Sequence, residues 1–262
     1  NSAKYLDQVT LTVVPNYGYH FTQWSDGNTD NPRSIVITQD TTFTAEFAIN
    51  QYYLSTSISN PEAGIVIGTG SYNYGTYAEL HAASNYGYHF TQWSDGNTDN
   101  PRRVLVTEDK TYTVYFDKNT YSITKNTNSE QGYIEGVSSA AYLDQVTLIA
   151  TPNDGYHFTQ WSDGVIDNPR TLVLTQDITL TAEFAPNQYT VTTFASHSER
   201  GTTQGDTIVN YLEFITISAT ANYGYHFTHW NDGNTENPRQ VQVTGDETYT
   251  AEFEKNTYSV SL

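Results

Sequence analysis

Trp24, Trp93, Trp161 and Trp230 are the only tryptophans in the chain and lie 69, 68 and 69 residues apart. Each sits in the same phrase. Gly18-Tyr19-His20-Phe21-Thr22-Gln23-Trp24-Ser25-Asp26-Gly27, followed by Asn31-Pro32-Arg33, returns nearly verbatim at Gly87 to Arg102, Gly155 to Arg170 and Gly224 to Arg239. A fixed period of this size means a tandem array of small domains, and it overrides the one or two domains that 262 residues alone would suggest. The units are read as 1–48 (lacking its N-terminal strands), 49–117, 118–185 and 186–254, with 255–262 as the first strand of a further repeat.

A unit of this size supplies only ~3–5 kcal/mol from its core, and with no cysteine there is neither a disulfide nor a thiolate metal site to staple it. Each unit must rely on its aromatic core and its neighbours. Eleven basic against twenty-nine acidic residues leave a net charge of -18, which opposes nucleic acid and anionic membrane surfaces and favours solubility. No run approaches ~18 apolar residues, so no helical membrane insertion is expected in this segment. The lack of methionine suggests an internal or processed piece of something longer.

Aligned on the tryptophan, each complete unit opens with an Asn-x-Tyr strand that places Tyr52 and Leu54, or Tyr121 and Ile123, or Tyr189 and Val191, on one face. A Glu-x-Gly turn and a variable Gly- and Ser-rich strand follow. A tyrosine then stands eleven residues before an asparagine (Tyr5 to Asn16, Tyr74 to Asn85, Tyr142 to Asn153, Tyr211 to Asn222), enclosing a period-two strand with Val9, Leu11 and Val13 inward in the first unit. The signature strand and its Asn-Pro loop come next. Two last strands around Thr-x-Asp-x-Thr read as a hairpin. No segment has a 3.6-residue period, so the unit is expected to hold about six short strands. Four residues separate each closing phenylalanine from the next opening tyrosine, which predicts a semi-rigid, rod-like array of up to ~110 Å.

Gly-Tyr-x-Phe-x-x-Trp-Ser-Asp-Gly, then Asn-Pro-Arg, then Val-Thr-x-Asp-x-Thr-x-Thr-Ala-x-Phe, resembles the divergent internalin B-repeat family, related to the Listeria–Bacteroides repeat. The resemblance spans every unit. It implies all-β or β-rich (β-grasp-like) modules in tandem, an extracellular or bacterial cell-surface location, a stalk or spacer role, and no catalytic residues to carry over. A glycan- or protein-binding adhesin array is the alternative. So is a filament subunit whose orphan strand after Lys255 joins identical subunits head to tail.

The candidate sites read mostly as structure. Asp26, Asn28 and Asp30, repeated as Asp95, Asn97 and Asp99, copy the first side-chain positions of a calcium loop, the one cofactor the sequence raises. Position six is Asn31 rather than glycine, position twelve is Ile37, Val106, Leu174 or Val243 rather than glutamate, and unit three puts Val165 where the asparagine stands. An Asp-Gly turn in which aspartate caps backbone amides is preferred. His20, His89, His157 and His226 occupy one strand position, and His226 and His229, three apart, are expected on opposite faces. Arg33, Arg102, Arg170 and Arg239 are expected to stack on the tryptophan or pair with Asp26 and its equivalents. Tyr53, Tyr72, Tyr115 and Tyr133 do not recur and are the candidate exposed glycan contacts. Ser, His and Asp of the signature lie on one strand and turn, where neighbouring side chains diverge, which argues against catalysis. The lysines do not recur at one position inside the units, which argues against Lys-Asn cross-links.

Overall fold

The computed structural model describes residues 2–261, and among them every regular element is a β-strand. Among the described residues no helix is long and apolar enough to cross a membrane. The chain divides into two compact units, Asn1–Asn119 and Thr120–Leu262. The first repeat supplies β1 (Gln8–Leu11), β2 (Tyr19–Trp24), β3 (Arg33–Val36) and β4 (Ala45–Ile49). The second supplies β5 (Gln51–Ile58), β6 (Gly64–Ile67), β7 (Gly70–Asn73), β8 (Tyr77–Ser84), β9 (Tyr88–Trp93), β10 (Arg102–Leu105) and β11 (Lys110–Lys118). The third runs from β12 (Thr120–Asn126) through β13 (Gly132–Glu135), β14 (Ser139–Ala141), β15 (Gln145–Pro152), β16 (Tyr156–Trp161) and β17 (Arg170–Val173) to β18 (Ile178–Pro186). The fourth runs from β19 (Gln188–Ala195) through β20 (Gly201–Gln204), β21 (Thr207–Asn210), β22 (Phe214–Ala221), β23 (Tyr225–Trp230) and β24 (Arg239–Gln242) to β25 (Glu247–Lys255).

Complete repeats therefore hold seven strands rather than six, because the variable stretch is two strands separated by a tight turn. The seven form two sheets. In the second repeat a four-stranded sheet runs β7-β5-β11-β9 and a three-stranded one β10-β8-β6. The first and last strands, β5 and β11, are parallel neighbours at the centre of the larger sheet, and β12 with β18 and β19 with β25 repeat this.

The expected final hairpin is not formed. β10 pairs with β8 while β11 pairs with β5 and β9, so the Thr-x-Asp-x-Thr turn carries the chain from one sheet to the other. Alternating apolar residues direct side chains inward but do not say which sheet a strand joins. The turn aspartate fixes the crossover: Asp109, Asp177 and Asp246 each accept the backbone N–H of the opening strand, from Tyr53, Ser122 and Thr190, at 2.7 Å.

The core lies between the sheets. Leu54, Leu80, Trp93, Val106, Tyr112, Val114 and Phe116 fill it in the second repeat, and Trp161 and Trp230 anchor the equivalent clusters in the third and fourth. All three of these tryptophans are fully buried. The segment expected as a further opening strand is not one here: β25 ends at Lys255, Asn256 donates its N–H to the Gly224 carbonyl at 2.9 Å, and residues 256–261 take no strand conformation. Leu262, the end of that segment, and Asn1 of the first unit lie outside the described residues.

The crossover staple is testable. Asp109→Ala should cost about 1 kcal/mol, a few degrees of melting temperature, whereas Asp109→Asn, which keeps the accepting oxygen, should retain most of it. Equal losses in thermal unfolding would show that the staple is not what holds β5.

Candidate functional site

The signature loop is a lock built from its own letters. Trp93 is buried and its Nε1–H donates to the Asp99 carbonyl at 2.9 Å, with the same bond from Trp24, Trp161 and Trp230 to Asp30, Asp167 and Glu236. Ser94 Oγ accepts the Thr113 N–H at 3.1 Å, tying the loop to the last strand. Arg102 grips both oxygens of Asp95 at 2.8 and 2.9 Å while its guanidinium lies 4.5 Å from the Tyr112 ring centroid and 5.5 Å from that of Trp93. The expected arginine pairing and stacking therefore occur together. In the first and fourth repeats the stacking partner is the core aromatic Phe43 or Tyr249, in the third Trp161.

Arg33, Arg102 and Arg170 hold the carboxyls of Asp26, Asp95 and Asp163 below the ordinary value, foremost through these hydrogen bonds. At Asp232 burial pushes upward, yet the bonds from Arg239 and the loop backbone outweigh it and the net shift is also downward.

The Asn of Asn-Pro-Arg has a role that spacing did not show. Asn100 Oδ1 accepts the Ala82 N–H at 2.9 Å and its Nδ2 donates to the Ala82 carbonyl at 2.6 Å. The amide thus stands in for a neighbouring strand, and Asn31, Asn168 and Asn237 do the same for Val13, Ala150 and Ala219. The following Asn–Pro peptide bond is cis in all four repeats.

The second feature is the joint between repeats. The connector expected to span four residues is a single asparagine, because the closing strand continues through residues 48–49, 117–118 and 185–186 to pair with the Tyr-His start of the signature strand. Asn50 donates its N–H to the Gly18 carbonyl at 2.8 Å, accepts the Tyr74 N–H on its own carbonyl at 2.8 Å, and has Oδ1 2.8 Å from His20 Nδ1. An amide oxygen only accepts, so Nδ1–H is the donor. Asn187 makes the same three bonds to Gly155, Tyr211 and His157.

The landmark tyrosine closes the joint. Tyr74 packs edge to face on Tyr17, centroids 5.3 Å apart, and Tyr211 on Tyr156 at 5.6 Å. A Cβ at Gly18, whose φ is +85°, would overlap the Tyr74 ring, and one at Gly155 the Tyr211 ring.

Each signature histidine is therefore tied to the asparagine that follows the closing strand, His89 to Asn119 at 2.8 Å and His226 to Asn256 at 3.0 Å as well. His226 and His229 do not point to opposite faces. A β-bulge between Phe227 and His229 inserts a residue, so both stand opposite glutamates, Glu254 and Glu252, while Phe227 and Trp230 turn to the core.

In the candidate calcium loop both Asp26 oxygens face Arg33, Asn28 Oδ1 accepts the Asp30 N–H, and Asp95, Asn97 and Asp99 repeat the arrangement. No group of three or more His, Asp or Glu side chains that could hold a metal occurs among the described residues. Tyr53, Tyr115 and Tyr133 are exposed. Tyr72 is not a free contact: it is half-buried against the core and its hydroxyl donates to the Gly68 carbonyl at 2.8 Å.

A model of the divergent InlB B-repeat domain matches the chain four times, over residues 1–51, 54–120, 121–188 and 189–257. Among solved structures the chain is similar to the Bacillus anthracis TIE protein, with 9% identity, a TM-score of 0.40, and coverage of 95% of this chain and 68% of that one. No curated protein matches it.

Three outcomes follow from this geometry. Asn100→Ala strands a buried N–H and C=O at Ala82 and should cost about 2 kcal/mol by chemical denaturation, with Asn100→Asp restoring only the acceptor. Gly18→Ala and Gly27→Ala both place a side chain at positive φ, but open space surrounds Gly27, so Gly18→Ala should lose at least about 1 kcal/mol more. Arg102→Ala should lower the melting temperature by a few degrees at neutral pH. Asp95, held below the ordinary carboxylate value of 3.8 by the Arg102 hydrogen bonds, contributes stability that is complete above that value and is lost as pH falls from it through the depressed folded-state value. The gap between wild type and Arg102→Ala should accordingly narrow below pH 3.8 in a pH series of thermal melts.

Proposed function

The chain belongs to the divergent InlB B-repeat family, whose repeats typically occur in surface or secreted bacterial proteins, and from that membership we propose that it is a stiff spacer segment of an extracellular protein. The observation that carries the proposal is the joint. A flexible linker leaves its backbone groups to water. Here the single connecting residue at positions 50 and 187 has its N–H, its C=O and its side chain all bonded, two of them to one repeat and one to the next. A net charge of -18 suits such a role, since it discourages repeats of neighbouring molecules from associating.

The spacer has no chemistry of its own in this proposal and needs no cofactor. Ser, His and Asp of the signature are each spent on a structural bond, to the last strand, the connector and the arginine in turn. Its partners are the neighbouring repeats.

Residual dipolar couplings of the intact chain test the reading. A single alignment tensor should fit the first and second repeats together, and Asn50→Gly, which removes one bond of the joint and frees the backbone, should split it in two. Independent tensors in the wild-type chain would defeat the spacer proposal.

A further inference from the structure

The connectors come in two chemical kinds. After the first and third repeats they read Ala48-Ile49-Asn50-Gln51 and Ala185-Pro186-Asn187-Gln188; after the second and fourth, Asp117-Lys118-Asn119-Thr120 and Glu254-Lys255-Asn256-Thr257. The array thus has a two-repeat super-period in which uncharged and charged connectors alternate. At the uncharged joint of the second compact unit lies a shallow, open depression of about 810 Å³, lined by His157, Pro186, Asn187, Gln188, Tyr189 and Asn210, with Ala185 opposite the histidine on the paired strand. None of these is a carboxylate, lysine or arginine. The first joint carries the same residues, His20, Ala48, Asn50, Gln51, Tyr52 and Asn73, with Ile49 where Pro186 stands, and the same internal bonds: histidine to asparagine at 2.8 Å in both, and glutamine Nε2 to the second asparagine at 3.1 and 3.5 Å.

Those bonds orient the polar groups and leave others free. With Nδ1–H committed to Asn187, His157 offers Nε2 as an acceptor; Asn187 retains its Nδ2 donor and Gln188 its Oε1 acceptor, all on residues of the same lining. Pro186 and the half-buried Tyr189 supply the apolar part of the lining. Alternating uncharged donors and acceptors beside an apolar wall suit vicinal hydroxyls, each of which donates and accepts, together with a C–H face of a sugar ring. A negatively charged ligand would meet the field of a chain at -18.

We propose that the two uncharged joints are binding sites for a neutral oligosaccharide, two per chain, and that the charged connectors do not bind it. The sites add to the spacer role and fail independently of it, since the dipolar couplings read the joint without any ligand.

The test is a titration of the intact 262-residue chain with cellotetraose, chitotetraose and mannotetraose, followed by amide NMR. At least one sugar should move the side-chain amides of Asn187 and Gln188 and of Asn50 and Gln51, with two sites per chain. Ala185→Glu, which copies the residue found at Glu254, should reduce the count to one. Gln188→Ala with Gln51→Ala should weaken binding about tenfold or more while leaving the melting temperature unchanged. The proposal is overturned if none of the three sugars shifts these amides at about 10 mM, where even a millimolar site is mostly filled. Shifts confined to the exposed rings of Tyr53, Tyr115 and Tyr133, or binding that survives both variants, would overturn it equally.

Discussion

Everything in this architecture depends on the parallel pairing of the first and last strands of a repeat. Because β5 and β11 run side by side in the same direction, the chain enters a complete repeat at one end of the four-stranded sheet and leaves it at the other. An antiparallel arrangement would return the exit to the entrance and make the next repeat compete for the same space. Parallel neighbours need a long crossover between them, and the remaining five strands of the repeat, with the whole of the second sheet, are that crossover. The tandem array is therefore a consequence of topology within one repeat before any contact between repeats is considered.

The joint then turns a direction into a fixed step. Once the closing strand has run on to pair with the start of the signature strand, one residue remains to be placed, and asparagine satisfies it with backbone and side chain together. Its hydrogen bonds are individually worth only about 1 kcal/mol net. Their effect is geometric: donor, acceptor and amide oxygen of the connector are all engaged, two with one repeat and one with the next. Tyr74 and Tyr211 add the apolar contact, and the residue after each takes positive φ, Gly75 at +74° and Leu212 at +66°, in a turn whose N–H bonds within its own repeat, to Val106 and Val243. A left-handed leucine costs ~1 kcal/mol, and Leu6, Leu143 and Leu212 each donate their N–H within the repeat, to the carbonyls of Ile37, Leu174 and Val243.

Much of this was legible in the residues. The period, the all-β class, the inward set of each strand and the arginine of Asn-Pro-Arg follow from spacing and alternation, because burial acts on residue type position by position. What could not be read is pairing. A period-two pattern is identical whether a strand joins the sheet above the core or the one below, so β10 and β11 looked like a hairpin although they belong to different sheets. The same blindness hid the β-bulge that brings His226 and His229 to one face, since a single inserted residue reverses the alternation without a compositional trace. His20 and Asn50 both recur in every unit, yet they are 30 residues apart and only the closing strand's extension brings them together.

The signature illustrates how a motif can look chemical and be architectural. Histidine, serine and a carboxylate within seven residues invite a search for catalysis or metal binding, but each is the cheapest available donor or acceptor at a place where the fold leaves a backbone group or an arginine in need of one. Serine meets the N–H of the last strand, aspartate meets a guanidinium caught between core aromatics, and histidine meets the connector's amide. A small repeat without disulfides has few apolar residues to spare, so its polar residues must satisfy backbone groups that a larger core would cover. That is why the phrase returns almost unchanged while the outward positions of the sheets vary, and why differences between connectors, rather than the phrase itself, are where ligand recognition has room to differ from one joint to the next.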